Sequence, residues 1–169
     1  RRLWGVRDAA YSRKGLNEVL EEMIDKKPDG TELWFSDFPE DRTVLIPTTD
    51  PDHVTDDGEI EEEALFLLSS RQARTDPTKN VRIKDGLKAT TAAPPFFKPL
   101  ILQTQSGKDH FLEDGGVGWP NPIELAYLEV VNHPELYGDA KNAIYVSIGT
   151  GRKQPSPRRI QVKNESNKP

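Results

Sequence analysis

The segment Ala64-Leu65-Phe66-Leu67-Leu68-Ser69 is apolar without alternation. A strand wetted on one side would alternate, so a run this short and continuous reads as a strand covered on both faces. Ala143-Ile144-Tyr145-Val146-Ser147-Ile148 reads as another strand, ending at Gly149-Thr150-Gly151. Thr43 to Pro47, rich in β-branched residues, and His110 to Glu113 read as two more. Helical patterns lie between them. After Ser12, a good N-cap residue, Leu16, Val19, Leu20, Met23 and Ile24 recur at helical spacing, which predicts a helix over about 13–26 that stops at Pro28-Asp29-Gly30. Val81 to Ala93 predicts a second helix, ended by Pro94-Pro95 because proline disfavours helix at the residue before it. Asn121 as N-cap, Pro122 at the first helical position and Glu124 at the third resemble a capping box opening a helix to about Asn132. Strands and helices that interleave in this way predict an α/β sheet covered on both faces.

With 169 residues, 34% of them hydrophobic, the chain fits one domain with a modest core. A mean hydropathy of -0.70 and 30% charged residues are polar for such a fold, and the excess is localised. Asp50, Asp52, Asp56, Asp57, Glu59, Glu61, Glu62 and Glu63 form an acidic run. Arg152, Lys153, Arg158, Arg159, Lys163 and Lys168 make the end of the chain basic. The division expected is therefore a domain over 1–151 and a basic, Pro-containing tail or linker over 152–169. Absence of cysteine excludes disulfides, thiolate metal sites and a cysteine nucleophile. The acidic run lacks the ligand spacing of an EF-hand loop, and Gly149-Thr150-Gly151 has no following Gly-Lys-Ser/Thr, so neither a metal nor a cofactor is expected. The net charge of -5 argues against nucleic acid. No apolar run is long enough to span a membrane, and Arg1-Arg2-Leu3-Trp4-Gly5 does not form a signal peptide. The expectation is a cytoplasmic protein or one peripheral to membranes. The first residue is not methionine, which suits a piece of something longer.

Asp114 is the strongest chemical candidate. It stands where a strand runs out, and Gly115 and Gly116 after it let another group approach the backbone closely. His110 lies four residues away, roughly 13 Å along an extended strand, too far for a His–Asp pair. Glu113 adjoins Asp114 but points to the opposite face, which argues against paired-acid chemistry.

Four ordered blocks carry a family resemblance: Ala89-Thr90-Thr91-Ala92-Ala93-Pro94-Pro95-Phe96-Phe97-Lys98-Pro99, then Glu113-Asp114-Gly115-Gly116-Val117-Gly118, then Asn121-Pro122-Ile123-Glu124, then Val146-Ser147-Ile148-Gly149-Thr150-Gly151. In order and spacing this set resembles consecutive blocks of patatin-like phospholipases. The resemblance covers about residues 81 to 151, with weaker likeness before that. It implies a three-layer α/β/α sandwich, here incomplete, and lipid acyl hydrolysis by a Ser-Asp dyad. Asp114 matches the dyad aspartate, the general base, and Asp114-Gly115-Gly116 its motif. The implied partners are a lipid or phospholipid ester substrate, a transient membrane surface, and the missing N-terminal part of the same domain. Phe96, Phe97 and Trp119 flank the motif as candidates to line an acyl channel or to pack the core.

One departure governs activity. No Gly-x-Ser-x-Gly and no glycine-rich oxyanion loop occur in the chain, and Ser147 sits in Val-Ser-Ile rather than in an elbow. The chain therefore holds no nucleophile, and by itself is expected to be inactive. The alternative is a catalytically silent α/β binding or scaffold module that keeps the family fold.

Overall fold

Strands Leu45–Thr49 (β1) and Leu65–Ser69 (β2) pair antiparallel along their whole length, from Leu45 opposite Ser69 to Thr49 opposite Leu65. The computed structural model describes residues 9–53, 59, 61 and 64–149. Strands Leu100–Gln103 (β3) and Asp109–Asp114 (β4) form a hairpin, and the end of β4 pairs with the end of β1, giving one antiparallel sheet in the order β2-β1-β4-β3. The β3–β4 turn needs the positive φ of Gly107 (84°), a conformation that costs glycine nothing. With its helices the chain is mixed α/β.

Register decides what each face carries. Ile46 and Leu68, Thr48 and Phe66, Leu100 and Leu112, and Leu102 and His110 are cross-strand partners, so their side chains share one face. Phe66, Leu68, Leu102 and Leu112 join Phe35, Ala73, Val81 and Ala89 in the buried core. Phe35 begins a short 3-10 turn (Phe35–Asp37), and Ala73 comes from helix Ser70–Thr75 (α2), which Ser69 caps by accepting the Gln72 N–H. Helix Ile83–Thr90 (α3) supplies Ala89 and is pressed so close that a Cβ on Gly86 would lie 2.9 Å from both Leu68 and Phe35. Phe66, Leu68 and Ser69 are buried and Leu65 and Leu67 half-buried, as the continuous run predicts. The opposite face is open at β3 and the neighbouring part of β4, with Ile101 68% and Phe111 41% exposed, and is closed at Thr49 and Glu113.

The first helix, Lys14–Met23 (α1), is shorter than the apolar spacing predicts, and Arg13 rather than Ser12 is its N-cap residue. Ser12 Oγ instead accepts the Lys14 N–H at 3.2 Å. Helix Ile123–Asn132 (α4) forms over almost the expected span, but its capping box does not. Pro122 takes the N-cap position and Asn121 Oδ1 accepts the Ile123 N–H at 3.4 Å. A short helix, Pro134–Tyr137 (α5), follows. The strand expected over Ala143–Ile148 is absent: the segment makes no ladder, and Ile144 and Ile148 are 90% and 91% exposed. A strand is defined by a neighbour that takes up its N–H and C=O groups, and among the described residues none runs beside it. The centre of the acidic run, the end of the Gly149-Thr150-Gly151 turn and the basic tail over 152–169 lie outside the described residues.

Candidate active site

Asp114 closes β4 opposite Thr48, and its backbone is tied on both sides. Its N–H donates to Ala92 C=O at 3.3 Å, and its C=O accepts from Thr49 Oγ1 at 3.2 Å. The chain then folds into a 3-10 turn, Gly115–Val117, of which Asp114 is the N-cap. Gly116 N–H donates to Asp114 Oδ1 at 2.7 Å, which fixes the carboxylate by a charge-assisted bond. Gly118 and Trp119 both return their N–H groups to Gly115 C=O. Asp-Gly-Gly is thus a strand end locked into a tight turn.

Each glycine has a separate reason. A Cβ on Gly115 would lie 2.2 Å from the Pro47 carbonyl oxygen of β1, an oxygen that also accepts from Thr90 Oγ1 at 2.9 Å. Backbone meets backbone there, and neither can yield. A Cβ on Gly116 would lie 2.9 Å from Asp114 Oδ1 and displace the carboxylate it now holds. The pair therefore lets the turn sit against β1 and leaves room beside the acid.

Glu113 is the feature that sequence reasoning missed. Opposite Thr49 on the other face of the sheet, it is 2% exposed, and its Oε2 has no hydrogen-bond partner. Burial pushes its carboxyl up to about 7, with the negative charges of Asp114 and Asp50 adding to the shift. It lines a small cavity of about 30 Å³ with Ala9, Pro94, Pro95, Phe97, Lys98 and Pro99. The expectation that Glu113 and Asp114 point apart is correct, but the two carboxylates still interact through charge. Nothing in His-Phe-Leu-Glu-Asp distinguishes a buried glutamate from a wetted one.

The other candidates separate. His110 lies against the Phe66 ring with centroids 4.3 Å apart, and burial, with Lys108 and Lys79, lowers its pKa. It forms no pair with Asp114. Ser147 donates to Asn121 Oδ1 at 3.3 Å. Phe97 reaches the Glu113 cavity, Phe96 is partly exposed, and Trp119 lines neither that cavity nor the groove between α4 and the 143–148 segment. Nor do the described residues contain a group of three or more His, Cys, Asp or Glu able to hold a metal ion. None of the helices described is long and apolar enough to cross a membrane. The arrangement offers one oriented carboxylate able to take a proton, beside a buried acid that titrates near neutrality.

A second charged centre stands away from the turn. Arg71 of α2 meets Glu129 of α4 through two hydrogen bonds, Nε to Oε1 at 2.5 Å and Nη2 to Oε2 at 3.2 Å. Tyr137 Oη donates to Glu129 Oε1 at 3.2 Å and meets Thr43 Oγ1 at 2.5 Å. Burial pushes the Glu129 carboxyl up, but Arg71 and Tyr137 outweigh it and hold the group below its ordinary value.

Among proteins of known sequence, the chain is similar to several from Arabidopsis thaliana. It is 27% identical over 150 residues to "Probable inactive patatin-like protein 9", covering 86% of this chain and 36% of that protein. It is 27% identical over 160 residues to "Patatin-like protein 4", covering 88% and 35%. To "Patatin-like protein 1" it is 32% identical over 122 residues, covering 64% and 27%. The chain thus spans about a third of the length of these relatives. No family model and no solved structure matches it.

Proposed function

We propose, from the premise that the chain is part of a patatin-like domain, that it is the C-terminal, base-bearing part of a lipid acyl hydrolase. In this reading Asp114 takes the proton from a serine hydroxyl supplied by a preceding part of the domain, and the serine attacks the ester carbonyl. The observation that carries it is the Asp114 turn, a carboxylate oriented by the Gly116 N–H at a strand end, with a glycine on each of the next two positions. A strand-to-helix junction of this kind leaves space for a nucleophile to approach and holds the acid still while it does so.

The missing part would also cover apolar surface that this chain leaves bare. Helix α4 exposes Tyr127, Leu128 and Val131 while burying Glu129, and a helix apolar on most sides normally has neighbours on most sides. The test is Asp114→Asn in the longer protein, assayed on a lysophospholipid or p-nitrophenyl ester. The expected loss is about 10²–10⁴-fold in kcat with folding retained, and undiminished turnover removes Asp114 from the mechanism. The chain alone should not be labelled by a serine-reactive fluorophosphonate; stoichiometric labelling would place a nucleophile within it.

A second reading has its own support: one relative is itself called probable inactive. The chain then belongs to a silent module that keeps the fold and binds a partner. Absence of Gly-x-Ser-x-Gly from the parent coding sequence upstream of Arg1 would favour it.

A further inference from the structure

The loop over residues 94–99, with the chain at 9–13 laid along it, closes over the Glu113 carboxyl on the sheet's second face. It is assembled as a lid. Ala10 and Tyr11 N–H groups donate to the Pro95 and Phe96 carbonyls at 3.1 and 3.0 Å, and the Tyr11 and Phe96 rings stack with centroids 5.9 Å apart. The Arg13 guanidinium lies over the Phe97 ring and donates to the Lys98 carbonyl at 3.1 Å. Phe96 and Phe97 N–H groups turn back to the Ala93 carbonyl, both at 2.9 Å. These bonds join loop and strap to each other. The loop meets the sheet at Ala92, which accepts the Asp114 N–H, and at Leu100, where β3 begins.

The lid has few donors to offer the acid beneath it. Pro94, Pro95 and Pro99 have no N–H, and the N–H groups of Phe96 and Phe97 are already engaged by Ala93. Glu113 is 2% exposed, and its Oε2 accepts no hydrogen bond. The charged groups on the elements around it leave this unchanged. Asp114 and Asp50 oppose its ionisation, Arg13 is turned to the Lys88 and Lys98 carbonyls, and Lys98 lines the cavity without a hydrogen bond to Oε2. The 3-10 turn Pro51–His53, packed on β4, adds Asp52 and His53, the latter engaged by Glu61 at 3.2 Å. A carboxylate has about four lone-pair sites to fill, whereas a cavity of about 30 Å³ holds roughly one or two waters. Shut, the site suits a neutral acid; the charged form needs water that an opened lid would admit.

We propose that Glu113 and the 94–99 loop form a proton-operated latch: the loop stays shut on the neutral carboxyl and parts from β4 when the carboxyl is charged. Because the Asp114 N–H is bonded to Ala92 at the root of the loop, opening also loosens the turn that orients Asp114. That the latch regulates a catalytic base rests on the acyl-hydrolase reading, but the latch itself is measured without ester turnover. Failure here leaves the Asp114→Asn test intact, and failure there leaves the latch intact.

The experiment is amide hydrogen exchange in the 169-residue chain, corrected at each pH for the intrinsic exchange rate. With its carboxyl raised to about 7 in the shut state, Glu113 is neutral at pH 5 and charged at pH 8. Protection of the Tyr11, Phe96 and Phe97 N–H groups should fall by on the order of tenfold or more from pH 5 to pH 8, while that of the β1–β2 ladder changes less. Glu113→Gln keeps the shape and cannot charge, so its lid should stay shut at both pH values. Lid protection that is equal at the two pH values or absent at both, or a loss shared equally by the β1–β2 ladder, overturns the proposal. So does a loss at pH 8 that persists in a folded Glu113→Gln chain. A loss confined to the lid of the unaltered chain supports the latch even where Glu113→Gln unfolds.

Discussion

At Glu113 the fold accepts a cost that depends on pH. Its carboxyl has an ordinary value of 4.5 in the unfolded chain and about 7 when folded. Folding favours the neutral form of such an acid and carries its charged form only at a cost. The penalty is therefore absent below pH 4.5, grows between 4.5 and about 7, and is complete above that, at on the order of 3 kcal/mol. Glu113→Gln should raise the melting temperature clearly at pH 8 and hardly at pH 4; equal effects at both would show that Glu113 does not titrate in this window. Gly115→Ala should act by a different cause. It drives a Cβ into the Pro47 carbonyl and should destabilise by about 1–3 kcal/mol or more in chemical denaturation. A neutral result there would mean that β1 and the turn are not in the contact described. Of these two residues only Gly115 was legible in the sequence, because a glycine after a strand signals close approach, whereas burial of Glu113 depends on what Pro94–Pro99 places over it.

The elements differ in how far they follow from local pattern. β2 is legible because its apolar run needs only the core beneath it, and α3 because its spacing and the prolines after it agree. α2 was not, since Ser70–Thr75 is polar and its helix is started by Ser69 and held by contacts of Arg71 and Arg74. The 143–148 segment fails in the opposite direction: strand propensity is high and no strand forms, because a ladder is a property of two segments. The Arg71–Glu129 pair joins α2 to α4 and is half-legible at best, with 58 residues between its members. Arg71→Ala leaves Glu129, 9% exposed, without its cation and should cost about 3–5 kcal/mol, with Arg71→Ala/Glu129→Ala costing less than the sum of the single changes. Strict additivity would mean that the pair carries no coupling. Since the Glu129 carboxyl is held below its ordinary 4.5, the stability it contributes is present above that pH and is lost as pH falls through the lowered value.

On the scale of the whole molecule, apolar surface is distributed as in a part of something larger. Ile101, Leu136, Ile144, Val146 and Ile148 are all more than half exposed, and the sheet's second face is open at β3. The isolated chain should self-associate or melt with low cooperativity in ultracentrifugation and calorimetry, and a sharp monomeric transition would contradict this. The four blocks from Ala89 to Gly151 made a similarity to patatin-like proteins readable in the sequence, and the relatives to which the chain is similar, of whose length it spans about a third, are called patatin-like. The sequence by itself determined the alternation of helices and strands, the position of Asp114 at a strand end and the lack of Gly-x-Ser-x-Gly, because each is encoded in neighbouring residues. Tertiary structure alone decided that β1 pairs with both β2 and β4, that Gly115 must clear the Pro47 carbonyl, that Glu113 loses its water, and that Tyr11 stacks on Phe96. Each of these joins residues distant in the chain or depends on what covers them, and no local pattern records which surfaces the fold will bring together.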